Sequence, residues 1–349
     1  MSRRGGAGLV VAAALGCGSG EKGDDTAVLA PDCLERVARH QGEEPLVYDL
    51  AWTPSGRQVL TGSTQLLRLF DVDDEAGTLT QVDAVASDVR FNGIVVTADG
   101  GLAVAPSGAH VLVFPLEDGV LGDAYVGEEL PGEQNRVAIS PDGSQLLTCD
   151  TFGRVHLHSF AQDPIHVALL DTLDVHSRCT RVTFSPSGEL ALSVGREGIL
   201  ALYRVGADSL TRVDHIQARE EVGDALFGLD DSIAVAGTFG DDNLMWTVSV
   251  DPSAGTLSRT DTFRVHASGF QSVDWDPGHR HLLTGGHDHD MHIWRTDDGG
   301  AHLERISDIS SHGDGVHSAR WSPDGSLVAR TAANIDRLDL YRVNDCVSD

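Results

Sequence analysis

VAISPDGSQLLTCD, residues 137–150, places two apolar runs on either side of a Ser-Pro-Asp-Gly turn. Proline fixes φ, the Asp side chain bonds to backbone two residues on, and Gly supplies positive φ, so these four residues read as a tight link between antiparallel strands. Turns of the same kind recur at 53–56, 97–100, 185–188, 228–231, 276–279 and 322–325, giving copies 43 to 48 residues apart. Around each turn the chain divides into four short runs of alternating polarity. In the first copy these are VYDLAW (47–52), QVLTGS (58–63), LLRLFDV (66–72) and LTQVDAV (79–85), here called strands a to d. A repeat of this length with four strands per unit predicts an all-β chain, a seven-bladed β-propeller of four-stranded antiparallel blades.

The seventh unit runs SARW, SLVAR and RLDLYRV and has no fourth strand after it. At the other end of the sequence LERVARH (34–40) matches the d strands LTRVDHI (210–216) and LERISDI (303–309) in length and apolar spacing, so the N-terminal strand is expected to complete the last blade. That closure removes the sheet edges an open ring would expose. Aligning Tyr341-Arg342-Val343 with Tyr203-Arg204-Val205 puts Cys346 and Cys33 where Asp208 and Ser209 stand in an intact c-to-d loop. A Cys33–Cys346 disulfide would thus replace the missing peptide connection. Cys149, ending strand b of blade three, and Cys179, opening strand a of blade four, are expected on the same face of adjacent blades and form the second pair; free buried thiols are the alternative.

Residues 1–16 carry Arg3 and Arg4, an apolar stretch and small residues before Cys17, the layout of an export signal rather than a folded element. A small residue directly before a cysteine resembles the lipobox of bacterial lipoproteins, which implies acylation of Cys17, export, and anchoring to the cell envelope on the periplasmic face or the cell surface. Residues 17–31 are rich in Gly and acidic residues and read as a flexible tether, leaving 32–349 as the propeller. The chain has 25 Lys and Arg against 53 Asp and Glu, a net charge of −28. Such a surface repels nucleic-acid phosphates and anionic headgroups, so no nucleic acid is expected as a partner and the membrane is expected to be reached through the lipid alone.

The units resemble WD40 repeats. In that family a His in the d-to-a loop, a Ser or Thr on strand b, an Asp in the b-to-c loop and a Trp on strand c form a structural hydrogen-bond relay, and the resemblance assigns these places in blade six to His266, Thr284, Asp288 and Trp294. Blade four has His176 and Ser193 with Glu197 and Tyr203, and blade seven has His312 in its loop. The c-to-d hairpins DVDDEAGTLTQV (71–82) and VDPSAGTLSRT (250–260) resemble those of lactonase-type propellers; a turn Gly at positive φ accounts for them without chemistry.

The segment GGHDHDMHIW (285–294) holds His287, His289 and His292 beside Asp288 and Asp290, good ligand chemistry for zinc. Alternation along a strand sends these side chains to opposite faces, and no metal or cofactor is expected. Nor does a Gly-x-Ser-x-Gly elbow follow any strand, so no catalytic residue is assigned. The remaining candidates stand at the start of strand a, where propellers line a central channel. One column holds Tyr48, Asn92, Asn135, Thr180, Gly223, Gln271 and His317, and the next Asp49, Gly93, Arg136, Arg181, Asp224, Ser272 and Ser318. Alternation predicts that one column faces inward without saying which. Arg136 and Arg181 fall on neighbouring blades and would clamp a carboxylate or phosphate, or else pair with nearby Asp. The expected function is a monomeric binding scaffold for a protein or small anionic ligand; the alternative is a lactonase-like hydrolase acting on a cyclic ester.

Overall fold

Ser140, Asp142 and Gly143 close their turn as the sequence requires. Ser140 Oγ donates to Asp142 Oδ1 (2.6 Å), the Gln145 amide donates to Ser140 Oγ (2.9 Å), and Gly143 sits at φ +71°. Thr97–Asp99 and Ser322–Asp324 repeat the same bonds at 2.6 Å, with Gly100 and Gly325 at positive φ. In the computed structural model, which describes residues 33–43, 46–240, 242–310 and 314–344, these turns join the two inner strands of successive four-stranded antiparallel blades. Seven sheets form a ring, six of this kind and, in blade two, one whose outer strand is split into Val120–Leu121 and Tyr125–Val126, and no helix forms among the described residues.

The last sheet is built from Val316–Trp321, Leu327–Ala332, Arg337–Val343 and, outermost, the N-terminal strand Leu34–Gln41. Ala38 pairs with Leu340 and Leu34 with Val343. An ionic contact ties the two ends together: Arg39 grips Asp339 through Nε (2.5 Å) and Nη2 (3.1 Å), and the fully buried Arg330 reaches the same carboxylate at 3.2 Å. Across the seam to blade one, Arg68 holds Asp336 with two bonds of 2.6 Å, and Trp52 Nε1 donates to the Arg320 carbonyl at 3.2 Å.

Apolar packing is divided among the junctions. The described core falls into seven clusters, each built from two neighbouring blades; Leu192, Val194 and Leu202 of blade four, for example, pack with Val222, Phe227 and Trp246 of blade five. Because both faces of each blade are covered, strand b loses its alternation and reads as a continuous buried run, as in Leu190–Gly195. Outer strands such as Thr256–Arg264 are largely exposed.

One contact recurs between blades. A strand-b residue meets the first strand-a residue of the next blade: a Cβ on Gly62 would stand 2.9 Å from Phe91 Cβ, one on Gly237 2.2 Å from the Phe270 ring, and one on Gly285 2.5 Å from Val316. Between blades three and four Cys149 and Cys179 occupy these two places, and there the contact is a disulfide with Cα atoms 5.8 Å apart. Cys33 is fully buried and disulfide-bonded, and its carbonyl accepts the Asn344 amide at 2.9 Å. Cys346 and Cys17 lie outside the described residues, as does His312.

Candidate functional site: the two mouths of the central channel

Strand a slips its register by one residue at the same place in every blade. In blade one Val47 pairs with Ser63 but Asp49 with Gly62, and blades three to seven repeat the slip. Blade two shows it between the Phe91–Ser107 bridge and the Val95–Val104 pair. A bulge of this kind re-aims the extra residue. Its effect is that Tyr48, Asn92, Asn135, Thr180, Gly223, Gln271 and His317 all line a cavity of about 310 Å³ at the narrow mouth of the channel.

The bulge also puts part of the second column on the channel wall, so the either-or expected from simple alternation does not hold. Arg136, Arg181 and Asp224 reach the narrow mouth, while Asp49 and Arg181 contribute to a wider cavity of about 640 Å³ at the opposite mouth. Ser272 and Ser318 turn into the blade junctions, where Ser272 accepts from Arg320 Nη1 (2.8 Å) and Ser318 donates to Asp49 Oδ1 (2.9 Å). Two residues further along strand a, a third column lines the wide cavity and includes Asp274 and Arg320.

These residues form a belt of alternating charge around the waist. Arg181 lies 3.2 Å from Asp224 and 3.9 Å from Asp49, and Arg320 lies 3.7 Å from Asp49. Burial opposes ionisation of Asp49, yet Arg320, Arg181 and Arg136 together hold its carboxyl below the usual range. Asp274 goes the other way: burial pushes it up to about 6 against the pull of Arg320, although it accepts the Trp321 amide at 2.8 Å. Arg136 differs from its two sister arginines. Its guanidinium donates to the Asn135 carbonyl at 3.3 Å and has no carboxylate within 4 Å among the described residues. Burial pushes it down to about 10, with the Arg181 and Arg320 charges acting in the same direction. Of the two arginines considered as a clamp, Arg181 thus pairs with Asp224, as the alternative had it, while Arg136 has no carboxylate within 4 Å among the described residues.

The loops above the narrow mouth add Arg90, Arg178 and Arg196. Arg90 pairs with Glu133 at 2.6 Å and Arg196 with Glu221 at 3.6 Å, whereas Arg178 has no acidic partner within 4 Å among the described residues. The mouth therefore gathers five arginines against Glu133, Glu221 and Asp224 in a chain of net charge −28. Sequence reading passed over Arg90, Arg178, Arg196, Asp274 and Arg320. Arg90 and Arg178 carried a usable signal, because each stands two residues before the bulge residue of its blade.

In blade six His266 Nδ1 lies 3.0 Å from Asp288 Oδ1 and Trp294 Nε1 donates to Thr284 Oγ1 at 3.1 Å, but His266 Nε2 has no partner, so the relay is interrupted at its centre. Blade four is continuous: His176 bonds Glu197 and, at 2.6 Å, Ser193, which is 2.6 Å from the Tyr203 hydroxyl. His292 stacks on His266 at 4.6 Å, and these two with Asp288 bring their ligand atoms within 4.8 Å of one another. His287 leaves the group to line the narrow mouth beside Phe239.

A ring of seven four-stranded blades, with its polar side chains gathered at the axis, defines a β-propeller. Residues 32–71, 257–295 and 303–337 match the WD domain, G-beta repeat, so the chain carries WD40 repeats in three places. Each matched stretch starts at the outer strand of one blade and runs into the next, the offset that lets the N-terminal strand close the ring. The chain is also similar to Protein hir1 of Emericella nidulans, with 25% identity over 189 residues that cover 49% of this chain and 18% of the relative. The match thus spans under a fifth of that relative's length.

Proposed function

We propose that this propeller is a protein-binding scaffold without chemistry of its own, which holds its partner over the narrow mouth, and that it is exported and tethered to the cell envelope by a lipid on Cys17. The observation that carries the reading is the concentration of arginine and neutral polar side chains around that mouth, on a frame closed by ion pairs and seven apolar junctions. A rigid rim of this kind offers preorganised contacts, which is how scaffolds gain affinity without mobile parts. WD40 propellers in general bind other proteins, which supports a protein partner.

Crosslinking in intact cells, followed by purification of the full chain, tests the scaffold. Reversing charge at the rim with Arg90→Glu and Arg178→Glu is expected to abolish a crosslink that the outer-surface change Arg295→Glu preserves. Equal loss, or no loss, in all variants argues against the narrow mouth. A panel of lactones tests the hydrolase alternative, with no turnover expected. Metabolic labelling with a radioactive fatty acid should mark the wild type and fail in Cys17→Ser, which should also leave the membrane fraction.

A further inference from the structure

The narrow mouth contains donors that nothing in the fold satisfies. Asn92 is 3% exposed and its Nδ2 has no hydrogen-bond partner; His317 Nδ1, two blades away on the same wall, has none either. Arg136 offers a guanidinium with only a backbone carbonyl as acceptor, and Arg178 at the rim has no acidic partner within 4 Å among the described residues. Buried donors left open in this way cost stability unless something accepts from them. The nearby carboxylate is already engaged, since Asp224 accepts the Val273 amide (3.2 Å) and lies 3.2 Å from Arg181, while Asn135 Nδ2 and Thr180 Oγ1 spend their own protons on the Cys179 and Val222 carbonyls.

Space for Arg136 is itself built in. Gly93 stands at the Arg136 position on the preceding blade, and a Cβ there would meet Arg136 Cα at 3.1 Å and Cδ at 3.5 Å. A bare backbone at that point leaves the guanidinium room to lie along the channel wall.

From this arrangement we propose that the narrow mouth is a receptor for a single carboxylate, supplied by the protein that docks there, with Arg136 as the ligand-gripping cation and Asn92 and Arg178 as further donors. A guanidinium matches the planar, two-oxygen face of a carboxylate. The charge favours a monoanion, because Asp49 and Asp224 are near enough to act on Arg136 and so oppose a second negative charge. The proposal rests on the scaffold reading only in taking this mouth as the docking face.

Titration calorimetry on the full chain tests it with three probes: an acetylated, amidated Gly-Glu-Gly peptide, an acetylated Gly-Gly-Ala peptide with a free C-terminus, and inorganic phosphate. One or both peptides should bind, the pattern telling a side-chain carboxylate from a chain end. Arg136→Gln should weaken that binding by about tenfold or more and Arg178→Gln by a few-fold, while Arg295→Gln leaves it unchanged. Circular dichroism melts on each variant separate lost binding from lost folding, and the rim change Arg178→Gln keeps the test open should Arg136→Gln fold poorly. Binding of both peptides undiminished in Arg136→Gln overturns the receptor, as does tighter binding of phosphate or binding of no probe. A partner crosslink that survives Arg136→Gln leaves the scaffold standing without the receptor; carboxylate binding that depends on Arg136 in a chain with no crosslink does the reverse.

Discussion

Asp274 and His317 face the same channel and respond to acid with opposite sign. Burial pushes His317 down to about 4, so the folded chain keeps it neutral while the unfolded chain takes up a proton below about 6.5. Its contribution is complete above that pH and is lost as pH falls toward 4. Asp274, raised to about 6, behaves inversely: the folded state binds its proton first, so stability is gained as pH falls from 6 to 4. His158, at about 3, together with His176 and His266, all depressed first by burial, reinforces His317. The histidines outnumber the aspartate, and the melting temperature should fall between pH 6.5 and 4, measured by calorimetry. Asp274→Asn should stabilise the chain at pH 7.5 by up to about 3 kcal/mol and have little effect at pH 4, because Asn still accepts the Trp321 amide. A pH-independent change would mean that Asp274 ionises as an ordinary surface acid. None of this was legible from residue types. Asp274 looks like any strand-end aspartate until the third strand-a column is seen to face the wide cavity.

At the scale of the strand, the turn chemistry and the alternation of blade one were readable, and strand bounds differ from the reading by a residue or so. The bulge was not, since it arises from packing around the ring and leaves no mark in residue order. That is why both strand-a columns remained open and the wall came out as a mixture of the two. The Cys149–Cys179 pairing, in contrast, was expected from placing two units side by side, and in the structure the cysteines stand where other blades set Gly against Phe or Val. Breaking it with Cys149→Ala and Cys179→Ala should cost about 3.6 kcal/mol by the loop-entropy estimate for a separation of 30 residues, readable as a lower urea midpoint. Gly237→Val tests the non-covalent version of the contact. With Phe270 ring atoms within 2.4 Å of any new Cβ, it should destabilise by about 2 kcal/mol or more, and Phe270→Ala in the same chain should recover part of the loss.

For the whole molecule the decisive step is the pairing of Leu34–Gln41 with Arg337–Val343, predicted from three matching outer strands and present in the structure. Without Arg39, Asp339 keeps Arg330 but loses its bidentate partner across the closure. Deleting residues 33–41 should therefore do more than remove one strand. It exposes the edge of Arg337–Val343 and should give a species that elutes as an oligomer and unfolds over a broad range of urea, where the intact ring shows one sharp transition by fluorescence. An unchanged monomer with a sharp transition would show that the other six junctions suffice.

Because oil-like contacts are parcelled out to the seven seams, the hub divides its labour: spokes such as Asp49 and Arg320 brace neighbouring blades, while Arg136, tied to no carboxylate, is answerable to whatever enters the hole. One such wheel can therefore be refitted at that single spoke while the braced ones stay as they are.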